Sequence, residues 1–164
     1  YAAVEEFLQN DWVLPSLGDA GAHLTQIIDS GWPTFMLSHW CREKGTFSLA
    51  ETARMLTGAQ ARILGFADRG TLAVGMRADI NVIDWDELGL LPPTIEYDLP
   101  GETIAKRLMQ KATGYKHTIC SGVEVSRDGV HTGELPGTLI RGARPLPAGS
   151  TSELGVTAMQ SSKL

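Results

Sequence analysis

Apolar positions fall into a helical rhythm at the start of the chain, where Val4, Phe7 and Leu8 share one face. This predicts an opening helix that ends near Gln9-Asn10-Asp11. The apolar run Trp12-Val13-Leu14 then predicts a strand over residues 12–17, which leads into the turn Gly18-Asp19-Ala20-Gly21-Ala22-His23. A loop-rich passage through Asp29-Ser30-Gly31-Trp32-Pro33 follows. Phe35-Met36-Leu37 opens a mostly apolar segment that carries His39, Trp40, Cys41 and Arg42. Ser48 and Glu51 have the spacing of a capping box, in which hydroxyl and carboxylate each satisfy an orphan backbone donor. Leu49, Thr52, Ala53 and Leu56 supply the stripe predicted to be buried on the helix it starts. Thr57-Gly58 interrupts that helix, and residues 59–64 form a second short one that stops at Gly65.

The period changes after Asp68-Arg69-Gly70. Gly75 marks a turn, and a β-type run follows, with Ile80 and Val82 opposite Asn81 and Ile83. Later strands are predicted at residues 117–121 and 123–126, the second ending in the hairpin signal Arg127-Asp128-Gly129. Residues 138–141 read as a last edge strand. Three sections result: a helix, strand and helix region over 1–66, a small β unit over 67–142, and a Ser/Gly/Ala-rich tail over 143–164.

Composition adds bounds rather than detail. With 43% apolar and 20% charged residues, the 164-residue chain has ordinary globular composition. A net charge of −5 and the lack of any Lys/Arg stripe argue against nucleic-acid binding. No apolar run is long enough for a bilayer and no signal peptide is visible, so the expected compartment is the cytoplasm. Cys41 and Cys120 lack metal-type spacing and read as free thiols. The chain starts at Tyr1, already inside a helical pattern, which predicts that it is the C-terminal part of something longer. It ends in Ser162-Lys163-Leu164, which is the peroxisomal import address when exposed at a true C-terminus and otherwise a tripeptide without a reader.

The candidate chemistry centres on Asp19. A carboxylate just after a short strand, flanked by small residues, is open to a metal ion, a water or a substrate. The other reading of the same stretch is a turn Asp bonded to its own backbone. None of His23, His39, His117 and His131 is spaced for a self-contained metal site. His23 and His39 belong to the section around Asp19, whereas His117 and His131 read as structural or solvated. No Gly-x-Ser-x-Gly nucleophile motif or phosphate loop occurs, and Cys41 lies on a different helical face from His39.

Several segments, taken in order, resemble the C-terminal portion of the metal-dependent amidohydrolases. They are Gly18-Asp19-Ala20-Gly21-Ala22-His23, Leu37-Ser38-His39-Trp40-Cys41-Arg42-Glu43, Met55-Leu56-Thr57-Gly58, Asp68-Arg69-Gly70-Thr71-Leu72, Gly75-Met76-Arg77-Ala78-Asp79, and Ser121-Gly122 with Arg127-Asp128-Gly129. The first two of these segments are similar to the N-acyl-D-amino-acid deacylase (D-aminoacylase) branch. The resemblance covers residues 1–142. It implies an α/β plus β architecture: the last strand and helices of a TIM-type (β/α)8 barrel, then part of a small β-sandwich completed by strands that are absent here.

The resemblance also implies a zinc-dependent hydrolase acting on a non-peptide C–N bond, most simply N-acyl-D-amino-acid deacylation. Asp19 is then the catalytic carboxylate, bonded to the metal-bound water or the metal and passing a proton to the leaving amine. His23 and His39 line the substrate pocket, and Arg42 pairs with the carboxylate of the N-acyl amino acid. The remaining zinc ligands lie outside this sequence, so this stretch by itself is expected to be inactive. Homo-oligomerisation stays open. Two other readings remain: a cyclic-amide hydrolase of the dihydroorotase or hydantoinase kind, and a non-catalytic β-sandwich module for accessory or oligomerisation roles.

Overall fold

The computed structural model describes residues 1–100 and 105–140. Within them the chain has a mixed α and β fold, with the helices in the first half and the strands in the second. The helical half opens with α1 (Ala2–Leu8). A 3-10 turn at Asp29–Gly31 leads directly into α2 (Trp32–Phe35), which continues as the π-helical segment Met36–Glu43. Helices α3 (Leu49–Leu56) and α4 (Gly58–Ile63) follow.

The helical core is built on Met36, Trp40 and Met55, with Leu8, Leu14, Trp32, Phe35, Phe47 and Leu56 packed around them. The capping box forms as its spacing predicts. Glu51 N–H donates to Ser48 Oγ at 3.2 Å, and Ser48 N–H donates to Glu51 Oε2 at 2.9 Å. The buried stripe of α3 differs from the expected one, because Thr52 and Met55 face the core while Leu49 and Ala53 face outward. Thr52 is satisfied there by donating its hydroxyl to the Ser48 carbonyl at 3.0 Å, and a bonded hydroxyl is tolerated in a core.

Three other expectations for this half are corrected. Residues 13–19 form no strand, and Trp12 and Leu17 are almost fully exposed, at 95% and 92%. A strand needs a ladder partner, and none of the described strands runs beside this stretch; Pro15 also removes one donor. The passage 29–33 is not a loop but a helix start. Pro33 sits in the first turn of α2, where its missing N–H costs nothing. Of the expected apolar face of α1, Leu8 packs on the core while Val4 and Phe7 stay exposed.

The second half carries β1 (Ile80–Ile83), β2 (Gly89–Leu90), β3 (Thr94–Leu99), β4 (Ala105–Met109), β5 (Ala112–Thr113), β6 (Tyr115–Cys120), β7 (Val123–Arg127) and β8 (Val130–His131). A four-stranded antiparallel sheet has the order β1-β6-β7-β8, while β2 pairs with β5 and β3 with β4. The β7–β8 turn has Asp128 at φ 47° and Gly129 at φ 77°, which is the geometry that an Asp-Gly hairpin signal predicts. The expected alternation along β1 breaks. The register slips between Val82 and Ile83, and Val82 is exposed. The predicted strand at 117–121 begins earlier, at Tyr115, and stops before Ser121, whose φ is 53°. Residues 138–140 are not a strand, because the chain leaves the sheet after the two-residue β8. Arg141 and the tail, including Ser162-Lys163-Leu164, lie outside the described residues.

Hydrogen bonds between the halves help to hold the helical segment in place. Tyr115 Oη and Thr34 Oγ1 share a hydrogen bond of 2.9 Å. The Leu108 N–H of β4 donates to the Leu24 carbonyl at 2.7 Å, which ties β4 to the loop after His23. No helix among the described residues is long and apolar enough to cross a membrane.

Candidate functional site

Asp19 sits in the irregular loop between Leu14 and the 3-10 turn. The loop anchors it by its backbone: Asp19 N–H donates to Asp29 Oδ2 at 2.6 Å, and its carbonyl accepts from Ala22 N–H at 2.9 Å. The Asp19 side chain is exposed and has no hydrogen bond or ion pair among the described residues. A held backbone with an open carboxylate is the arrangement that a group handling a proton or a substrate requires. The alternative reading, a turn Asp whose side chain bonds its own backbone, is not what forms: the tight turn at Ala22 is closed by the Asp19 backbone carbonyl, and the carboxylate takes no part in it.

His23 adopts φ 46°, an uncommon value for a residue with a Cβ. Its carbonyl accepts from Gln26 N–H at 2.7 Å and Ile27 N–H at 3.2 Å, and its ring is exposed. His39 lies on the π-helical segment, in an aromatic nest. It stacks on Phe35 with centroids 4.7 Å apart and meets Trp40 edge-on at 5.1 Å. Its Nδ1 lies 3.1 Å from Glu43 Oε2, and its buried Nε2 has no partner. π-Helical turns gather at functional positions more often than chance.

Arg42, one helical turn further on, is directed to the β half. Its Nη1 donates to the Trp85 carbonyl at 2.7 Å, the guanidinium lies 5.9 Å from the Trp85 ring centroid, and Nη2 is 4.0 Å from Glu43 Oε1. His39 and Arg42 thus share one helical segment, Asp19 and His23 share one loop, and no hydrogen bond links the two pairs.

Among the described residues no three His, Cys, Asp or Glu side chains stand together to hold a metal ion. Asp19 has only the Asp29 carboxylate near it, and that group is taken up by the Asp19 N–H, so the residues present do not fit the expected zinc. Two surface hollows, of about 560 and 430 Å3, lie on β7–β8 around Glu124 and His131 and between α1 and α3–α4. Neither is lined by Asp19, His23, His39 or Arg42. Cys41 and Cys120 are both free thiols, Cys41 being buried.

The motif Asp68-Arg69-Gly70 with Arg77-Ala78-Asp79 does structural work. Arg69 Nε and Nη2 donate to both oxygens of Asp68 at 2.9 and 3.1 Å, and Arg77 Nε donates to Asp79 Oδ1 at 3.0 Å. Asp79 Oδ1 also accepts the Ser121 N–H at 2.8 Å, which pins the turn before β1 to the β6–β7 turn. Burial works to raise the Asp79 pKa, but the Ser121 N–H and Arg77 together hold it below the ordinary carboxylate value.

One neighbour of Asp19 is not marked by the sequence, namely Asp29. It stands ten residues from Asp19 across an irregular loop, and no residue spacing marks such a contact.

The chain belongs to the amidohydrolase family, whose model matches residues 1–126. No curated protein matches it. It is similar to a solved D-aminoacylase, described in its title as defining a novel subset of amidohydrolases, with 26% identity and a TM-score of 0.47. That alignment covers 62% of this chain and 19% of the D-aminoacylase, so the chain spans only a small part of that protein's length.

Proposed function

We propose that this chain is the C-terminal portion of an N-acyl-D-amino-acid deacylase. In this reading residues 1–66 are the end of a barrel, residues 67–142 are part of a composite β-sandwich, and residues 143–164 are a tail. The observation that carries it is Asp19, open to solvent and held by its backbone, at the position that resembles the family's catalytic carboxylate. Family membership over residues 1–126 supports hydrolysis as the reaction class.

The reaction asks a specific service of Asp19. Water adds its oxygen to the acyl carbon, and the carboxylate takes up the proton released. The C–N bond then breaks, and Asp19 delivers that proton to the departing amine nitrogen. His23, on the same loop, and His39 contribute to the substrate pocket, while Arg42 faces the substrate carboxylate with what Trp85 leaves free of its guanidinium. Amidohydrolases generally use metal ions. Zinc dependence in this reading belongs to the whole protein, with ligands outside this chain, and no step here runs through it.

The test uses the full-length protein that carries this sequence. Its metal content and its hydrolysis of N-acetyl-D- and N-acetyl-L-amino acids are measured, together with those of Asp19→Ala. The expected result is bound zinc and D-selective hydrolysis, with kcat reduced about 10²- to 10⁴-fold in the variant. A metal-free protein inactive on every substrate would overturn the reading and favour a non-catalytic module. Turnover of cyclic amides alone would move it to the hydantoinase kind.

A further inference from the structure

The loop that carries Asp19 has no regular hydrogen-bond ladder, so something else must fix the catalytic backbone. Asp29 Oδ2 accepts the Asp19 N–H at 2.6 Å, a short bond strengthened by the charge on its acceptor. Asp29 itself is placed by a rigid element, since it opens the 3-10 turn that runs without a break into α2. Gly18 provides the second half of the contact. A Cβ built at residue 18 would lie 2.7 Å from Asp29 Oδ2 and 2.9 Å from its Cγ. Gly18 is not among the positive-φ glycines, so what the position demands is space for a carboxylate rather than an unusual backbone.

We propose that Asp29 is the positioning residue for Asp19, and that Gly18 is glycine so that the Asp29 carboxylate can close on the Asp19 N–H. The inference rests on Asp19 being the proton-carrying group of the preceding reading. The carboxylate of Asp29 touches neither substrate nor reacting atoms; it sets where Asp19 stands. At the far end of the same loop, the Leu108 N–H holds the Leu24 carbonyl at 2.7 Å. The segment between is thus clamped on both sides of His23.

The test compares Asp29→Ala, Asp29→Asn, Gly18→Ala and the Gly18→Ala/Asp29→Ala double variant in the full-length protein, on N-acetyl-D-amino-acid hydrolysis. Asp29→Ala removes the acceptor and is expected to lower kcat about 10- to 100-fold with KM unchanged, the cost of a misplaced catalytic group. Asp29→Asn keeps an acceptor oxygen in place and should restore most of kcat. Gly18→Ala should reproduce the alanine phenotype, because the new methyl displaces the end of a flexible side chain at little cost to folding. Since both changes break one contact, the double variant should be no worse than the worse single one.

A readout independent of turnover is the Asp19 amide proton in selectively ¹⁵N-labelled protein. It should shift upfield in Asp29→Ala and Gly18→Ala, and stay near its original position in Asp29→Asn. An Asp19 amide unmoved by Asp29→Ala overturns the proposal whatever the activity. So does full kcat in Asp29→Ala while Asp19→Ala is inactive. Full activity in Asp19→Ala, by contrast, sinks the preceding reading, while the amide shift still reports on the contact.

Discussion

Gly114 lies between β5 and β6, where the chain passes over the buried Leu88. Its φ is 86°, and a Cβ added there would meet Leu88 Cα at 2.6 Å, Leu88 N at 2.7 Å and Asp84 O at 2.9 Å. All three are backbone atoms, so no side-chain rotation relieves the clash. Gly114→Ala therefore combines two costs: about 1–2 kcal/mol for a Cβ in the left-handed region and about 1–3 kcal/mol for overpacking, together about 2–5 kcal/mol. Gly129 is the matched control, with φ 77° and nothing within 4 Å of its added Cβ. Gly129→Ala should show the conformational cost alone, about 1–2 kcal/mol.

Urea unfolding of the purified variants, followed by tryptophan fluorescence, measures both losses from the shift in midpoint at constant slope. The consequence reaches the candidate site. The Gly114 carbonyl accepts the Asp84 N–H at 2.7 Å, beside the Trp85 carbonyl that Arg42 uses, and Tyr115 next door bonds Thr34. Equal losses in the two variants would refute the reasoning, because they would show that the Leu88 backbone moves aside freely.

Two further predictions follow from charged contacts. Glu124 has its pKa lowered to about 2, by hydrogen bonds from Arg127 and then from His117, with which it also pairs electrostatically. A depressed folded-state pKa contributes stability above the unfolded value that is lost as pH falls through the folded one. Wild type should therefore exceed Glu124→Gln in thermal midpoint near neutrality, and the two should converge as pH drops from 4.5 towards about 2; parallel curves across that window would contradict the assignment. Arg42→Lys keeps the charge but loses the planar group that lies over Trp85, and should lower unfolding stability by about 1 kcal/mol. A raised KM with an unchanged unfolding midpoint would instead assign Arg42 to the substrate alone.

The capping box at Ser48 and Glu51, the stop at Gly65 and the Asp128-Gly129 hairpin were all legible in the sequence. Each depends on hydrogen bonds or dihedral angles that span a few residues, so residue type at fixed spacing is enough to specify it. In the family segments the closest pairs are also local, since Arg69 bonds the adjacent Asp68 and Arg77 bonds Asp79 two residues on, whereas the bond from Ser121 to Asp79 spans 42 residues. Asp19 could be singled out by its small neighbours and its place after an apolar run.

What surrounds Asp19 was not legible. The stretch from residue 12 to 17 has strand-like composition, yet a strand exists only where another backbone completes its ladder, and no described strand lies beside it. The pairing of β3 with β4, the exchange of Leu49 for Met55 in the core stripe, the reach of Arg42 to Trp85 and the closure of Asp29 on Asp19 were all decided by tertiary structure. In each, the partner's position is set by how separate elements pack, and spacing along the chain carries no record of it.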